Sequence, residues 1–211
     1  MNFVRRLLPL VAVAVFFCAA APAWSEDIID QWASVQPPAP PKLQDVTVDP
    51  KTTALLMIDF LQQNCAPNPR CMAALPASEK LLAEARAAKA FVVYSKYPTA
   101  EPKQGEILAQ VAPIDKEPVV IGLLDKFVDS DIDKILKRKG IKTVICVGNA
   151  SNGAVLFTAQ AAFAHKYQVI VAVDGVTSRD LYADQSVAHT LATAPVIGGK
   201  IVLTRSGMIK F

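Results

Sequence analysis

Histidine is nearly absent from this chain. His165 and His189 are the only two in 211 residues. Neither stands near the C-x5-C pair Cys65 and Cys71, so that spacing is a poor metal signature, and no resident metal or cofactor is expected. Charge of one sign is also scarce: 22 Lys and Arg face 19 Asp and Glu. Lys134, Lys137, Arg138 and Lys139 form the one basic cluster. They read as the last turn of a helix, where cations complement the helix dipole. That leaves no electrostatic footprint for nucleic acid. The apolar run Leu7 to Ala21 is shorter than the roughly 20 residues a spanning helix needs. No internal repeat occurs, and no G-x-S-x-G elbow is present.

What is there begins with a leader. Arg5 and Arg6, the apolar run, and small residues at Ala23 and Ser25 have the layout of a secretory signal peptide over 1–25. An uncleaved anchor is the alternative. The expectation is a periplasmic or secreted protein with no membrane association after cleavage. Taking Arg5 and Arg6 away leaves 20 basic against 19 acidic residues, so the mature chain is close to neutral. In an oxidising compartment Cys65 and Cys71, in the loop NCAPNPRC, are expected to pair. Free thiols are the other reading. Cys146, between Ile145 and Val147, reads as a small buried hydrophobe.

Residues 26–51 hold a proline-rich leader or strap, with PPAPPK favouring an extended course. The domain is placed at 52–211. Its apolar runs are ALLMID (54–59), AFVVYS (90–95), PVVIG (118–122), KTVICV (142–147), YQVIVAV (167–173) and KIVLT (200–204). Between them lie helix-like stretches at 76–89, 129–139, 152–165 and 182–193. The 129–139 stretch has Asp129 or Ser130 as cap and Gly140 as stop. Solid Val, Ile and Leu runs mean strands buried on both faces. The fold class is therefore α/β, a three-layer α/β/α Rossmann-like domain with a six-stranded, mostly parallel sheet. Ligands in such sheets bind beyond the carboxyl ends of the strands. Asp59, Tyr97 and the turn 148–154 fall there.

TVICVGNASNGAVLFT (143–158) reads as a buried strand, a glycine turn and a helix N-terminus. With ALLMIDF, DKFVDSDIDKILKRKGI and VIVAVDGVTSRD, it resembles the isochorismatase-like superfamily, the cysteine hydrolases, over about 52–207. The resemblance implies a hydrolase of a small molecule with no nucleic-acid partner. Relatives often assemble, so a homo-oligomer is compatible with it. Asp59 matches the family's catalytic aspartate. Leu61 stands where a glutamine is usual. Ala154 stands at the nucleophile position and is not a nucleophile. Ile121 and Gly122 occupy the usual places of the catalytic lysine. Lys126 either substitutes from a shifted position or is a solvated loop lysine, the second reading being preferred. The resemblance also implies a cis peptide at Asn149–Ala150 and an oxyanion hole from the N–H groups of Ala150 and Ala154. Those donors do not depend on side-chain identity. Tyr97, Asn149 and Asn152 are the substrate-binding candidates.

Two chemistries and one non-chemistry follow. The first is an exported hydrolase with a non-thiol mechanism centred on Asp59. Isochorismatases proper use the aspartate as acid with a small residue in place of cysteine. The second is a serine triad, Ser151, Asp174 and His189, in the chain order of α/β-hydrolases. Against it, Ser151 reads as a helix cap and His189 as a surface histidine. The alternative to catalysis is a silent binding protein that keeps the fold, since fold does not fix function.

Overall fold

The computed structural model describes residues 26–99 and 105–211. The signal-peptide reading of 1–25 lies outside the described residues. Residues 26–39 belong to one unit, in which 28–34 make turns, with Asp27 Oδ1 accepting from the Ile29 and Asp30 amides. The second unit is Pro40–Phe211. Its elements are β1 (Val46–Thr47), β2 (Thr53–Ile58), α1 (Gln62–Cys65), α2 (Pro69–Ala87), β3 (Phe91–Lys96) and β4 (Val119–Ile121). They continue with α3 (Ile132–Arg138), β5 (Thr143–Asn149), α4 (Leu156–Ala164), β6 (Gln168–Thr177), α5 (Leu181–Thr193), β7 (Val202–Thr204) and β8 (Ile209–Lys210).

Six strands form one parallel sheet in the order β4-β3-β2-β5-β6-β7. The solid apolar runs sort by the two-residue strand period into two cores. Leu56, Ile58, Val144, Cys146, Val169 and Val171 face Leu136 of α3, Ala159 and Ala162 of α4, and Val187 and Leu191 of α5. Leu55, Met57, Val92, Tyr94, Ile145 and Val147 face Leu75, Leu81, Leu82 and Ala85 of α2. Cys146 is fully buried, and burial pushes its thiol up to about 12. The stretch before β2 is tied to the domain: β1 pairs in parallel with β8, and Gln44 bonds Leu203 and Thr204.

Three local readings are corrected. Helix α2 starts at Pro69 rather than Pro76. Asn68 caps it by accepting from the Arg70 amide at 3.1 Å, Pro69 takes the first turn, and Pro76 is carried in the interior. The helix expected at 152–165 instead opens with a wide π-type turn, Ser151–Val155, containing a non-helical Gly153, before α4 begins. Ser151 is not its cap. Its hydroxyl donates to Asp184 at 2.7 Å. Helix α3 is shorter than expected: Ser130 Oγ accepts from the Ile132 amide at 3.1 Å, and Gly140 stops the helix at φ +68°.

Sheet order reverses between β2, which leads outward to β3 and β4, and β5, which leads to β6 and β7. Gly148 sits at that reversal with φ +148°. A Cβ there would lie 2.1 Å from the Ile58 carbonyl oxygen, inside backbone that cannot yield. Gly148→Ala should therefore destabilise the domain by about 3 kcal/mol or more, read from the urea midpoint. A loss within about 0.5 kcal/mol would show that the close approach of β2 and β5 is not a constraint.

Candidate active site

Asp59 follows β2 at the reversal point, where an open parallel sheet leaves a crevice. Its backbone is left-handed, φ +50°, a conformation aspartate tolerates better than most residues. The Asp59 amide donates to Ser95 O at 3.2 Å, and the Leu61 amide donates to Asp59 O at 2.8 Å. This tight turn places a carboxylate at the end of an apolar strand with only 2% exposure.

Lys126 answers that carboxylate. It is not a solvated loop lysine: its exposure is 0%, and its Nζ lies 2.8 Å from Asp59 Oδ2. An ammonium has three donors. The other two go to Gly122 O at 2.8 Å and Leu123 O at 2.6 Å. The loop 122–126 thus folds around its own lysine and delivers it to Asp59 from behind. Ile121 is exposed, and Gly122 contributes only its carbonyl. The second carboxylate oxygen, Asp59 Oδ1, accepts from Ser95 Oγ at 2.8 Å.

Burial disfavours both charges. It raises the Asp59 pKa above its ordinary 3.8, against the opposing pull of Lys126 and Ser95. It lowers that of Lys126 below 10.5, against Asp59. A buried acid held this way can keep or release a proton nearer neutrality than a surface carboxylate.

In front of the pair lies a cavity of about 310 Å³ lined by Asp59, Asn64, Asn68, Tyr97, Leu123, Leu124, Asn149, Ala150, Gly153, Ala154 and Arg179. The Asn149–Ala150 peptide is cis. The turn that carries Ala150 and Ala154 ends at a helix start, a place suited to negative charge. The Ala154 methyl offers no nucleophile. Tyr97 donates to Asn64 Oδ1 at 2.6 Å and also contacts Gln63. Asn149 is turned to Thr177, donating to its carbonyl at 3.0 Å. Asn152 is outside the lining, and its Oδ1 accepts from Ser178 Oγ at 2.8 Å.

The serine triad does not assemble. Ser151 bonds Asp184, Asp174 accepts from Ser206, and His189 is exposed beside Thr193. Sequence reading passed over Asn64, Asn68, Ser95 and Arg179. Each sat in a segment already singled out: NCAPNPRC, AFVVYS and VTSRD. Being at the ends of strands or just past them was the available clue.

The chain is similar to known proteins over most of its length. The isochorismatase domain matches residues 53–200. The isochorismatase family protein YwoC of Bacillus subtilis (strain 168) is 29% identical over 174 residues, which cover 71% of this chain and 88% of that protein. A cysteine hydrolase from Pseudomonas syringae pv. phaseolicola 1448A shares the fold at TM-score 0.70 and 19% identity, over 80% of this chain and 95% of its own. So does N-carbamoylsarcosine amidase from Thermoplasma acidophilum, at TM-score 0.62 and 22% identity, over 74% of this chain and 96% of its own.

Removing Lys126 while keeping its bulk, as in Lys126→Met, leaves Asp59 buried without its cation. The raised Asp59 pKa then rises further, so stability is greatest when Asp59 is protonated and falls as pH climbs through the folded value. Relative to wild type, the loss should be about 3–5 kcal/mol near pH 8 and clearly smaller at pH 4. Urea unfolding at the two pH values checks it. A loss that does not vary with pH would break the pairing argument.

Proposed function

The chain belongs to the isochorismatase family, and from that premise we propose that it is an exported hydrolase of a small molecule, working without a thiol through Asp59. The observation that carries this reading is the buried Asp59–Lys126 pair, 2.8 Å apart at the head of the cavity beside the Ala150–Ala154 turn. A pseudoenzyme that merely binds has no need of an ion pair so costly to desolvate, which favours chemistry over silent binding.

The residues divide the work as follows. Asp59 takes a proton from water as the water oxygen bonds to the electrophilic carbon. It then returns that proton to the departing group as the scissile bond breaks, so that it ends as it began. Lys126 holds the carboxylate in place and balances its charge. The N–H groups of Ala150 and Ala154 supply donors for the oxygen that gains negative charge. Leu123 and Leu124, 72% and 54% exposed, form an apolar lip. Arg179 lines the cavity, and among the described residues no carboxylate pairs with it.

The leader's charged start and apolar run support export. A disulfide between Cys65 and Cys71 is in keeping with an oxidising compartment.

Asp59→Asn keeps the shape and removes the proton transfer. On a panel of esters, amides and enol ethers, the variant should lose about 10²–10⁴-fold in kcat/KM. Wild-type turnover should also survive iodoacetamide, since Cys146 is buried and its thiol is held protonated. Activity that persists in Asp59→Asn, or that dies with labelling of Cys146, contradicts the mechanism. No turnover of any panel compound by the wild type would favour the silent binding protein.

A further inference from the structure

Two of the cavity's polar side chains come from one short loop. Asn64 and Asn68 both line the cavity, and the intervening chain carries Cys65, which is bonded to Cys71 across a separation of six residues. Both cysteines are fully buried.

This loop spans the mouth. On one side Asn64 accepts from Tyr97, just past β3. On the other, Asn68 donates to Ser178 O at 3.2 Å, just past β6 and immediately before Arg179. The loop therefore links two strand ends that flank Asp59 and sets the positions of four lining residues: Asn64, Asn68, Tyr97 and Arg179.

Gln63 also contacts Tyr97, and the rest of the loop is held at its two ends. Helix α1 is a single turn of four residues, too short to persist by itself. Its entry is anchored by the Gln62 amide on Glu106 O at 2.9 Å and by a lone bridge between Leu61 and Ile107. Its exit is anchored on α2 twice, by the Asn68 cap, which accepts from the Arg70 amide at 3.1 Å, and by the disulfide. That 19-residue helix packs its Leu75, Leu81, Leu82 and Ala85 into the core beneath the sheet. The sulfur bridge thus couples the cavity wall to a rigid helix.

We propose that the Cys65–Cys71 disulfide is a positioning element of the cavity wall, so that the site is complete only in the oxidised chain. The inference rests on the reading of this cavity as the active site. It carries a consequence for that reading: a chain still in a reducing compartment holds Asp59 and Lys126 in place but lacks an ordered wall. Hydrolysis is then tied to the oxidation that export brings.

The test is hydrogen–deuterium exchange of the Cys65→Ser/Cys71→Ser double variant against the wild type. Peptides covering 61–68 and 177–179 should exchange about ten-fold faster or more, with 53–58 and 143–147 unchanged. Unchanged protection at 61–68 overturns the proposal. So does loss of protection throughout the sheet, or failure of the variant to fold, since either makes the bond a general staple. This measurement needs no turnover, so its result stands apart from that of the hydrolysis panel.

Kinetics on the panel compound that the wild type hydrolyses supply a second check. The double variant should raise KM about ten-fold with kcat within about two-fold. Asn64→Ala should raise KM while leaving the disulfide intact. A wild-type KM in both variants contradicts a positioning role.

Discussion

The ion pair between Asp59 and Lys126 is the interaction to which the rest of this molecule is fitted. Two opposite charges are taken out of water, at a cost their mutual attraction repays only if every remaining lone pair and proton is satisfied. Here each carboxylate oxygen keeps one bonded partner while Asp59 still lines the cavity, and all three ammonium protons are placed. The carboxylate receives Ser95 and Lys126, and the ammonium gives its other protons to the Gly122 and Leu123 carbonyls. This arrangement dictates the left-handed turn at Asp59, the place of Ser95 at the end of β3, and the wrapping of the loop after β4. Each has little other reason to take the form it does.

The same crevice explains how the fold stays intact with alanine at position 154. The turn is set by Gly148, which alone fits against Ile58, and by the burial of Val155, Thr158 and Ala159. Position 154 contributes a methyl group and a backbone amide. A nucleophile can be removed from such a position while the amides and the acid–base pair persist, because they depend on backbone and on other strands. The architecture separates the parts that hold charge from the part that would attack.

How much of this could be read from the sequence follows from which contacts are periodic. The six strands were legible because Val, Ile and Leu runs of five to seven residues have one reading in an α/β chain, and Asp59 was legible because it ended one of them. The loop from Gly122 to Lys126 was not, because its course is set by hydrogen bonds from its own lysine to carbonyls three and four residues back. A lysine among exposed Leu123, Leu124 and Val128 reads as solvated. The start of α2 was obscured by two prolines, of which the first turn takes Pro69 and the helix interior absorbs Pro76. Ser151 looked like a cap because it precedes a helix, but Asp184 of α5 outcompetes the local amides for its hydroxyl. Asn64, Asn68 and Arg179 gained meaning only when the ends of β3 and β6 were brought to one side.

The central claim is that burial and pairing make Asp59 an acid–base group rather than an ordinary carboxylate. The most direct measurement is the 13C chemical shift of the Asp59 carboxyl carbon through a pH titration of the intact protein. The account predicts a midpoint clearly above the usual 3.8, moving higher still in Lys126→Met. A midpoint at or below 3.8, unmoved by loss of the lysine, would contradict it.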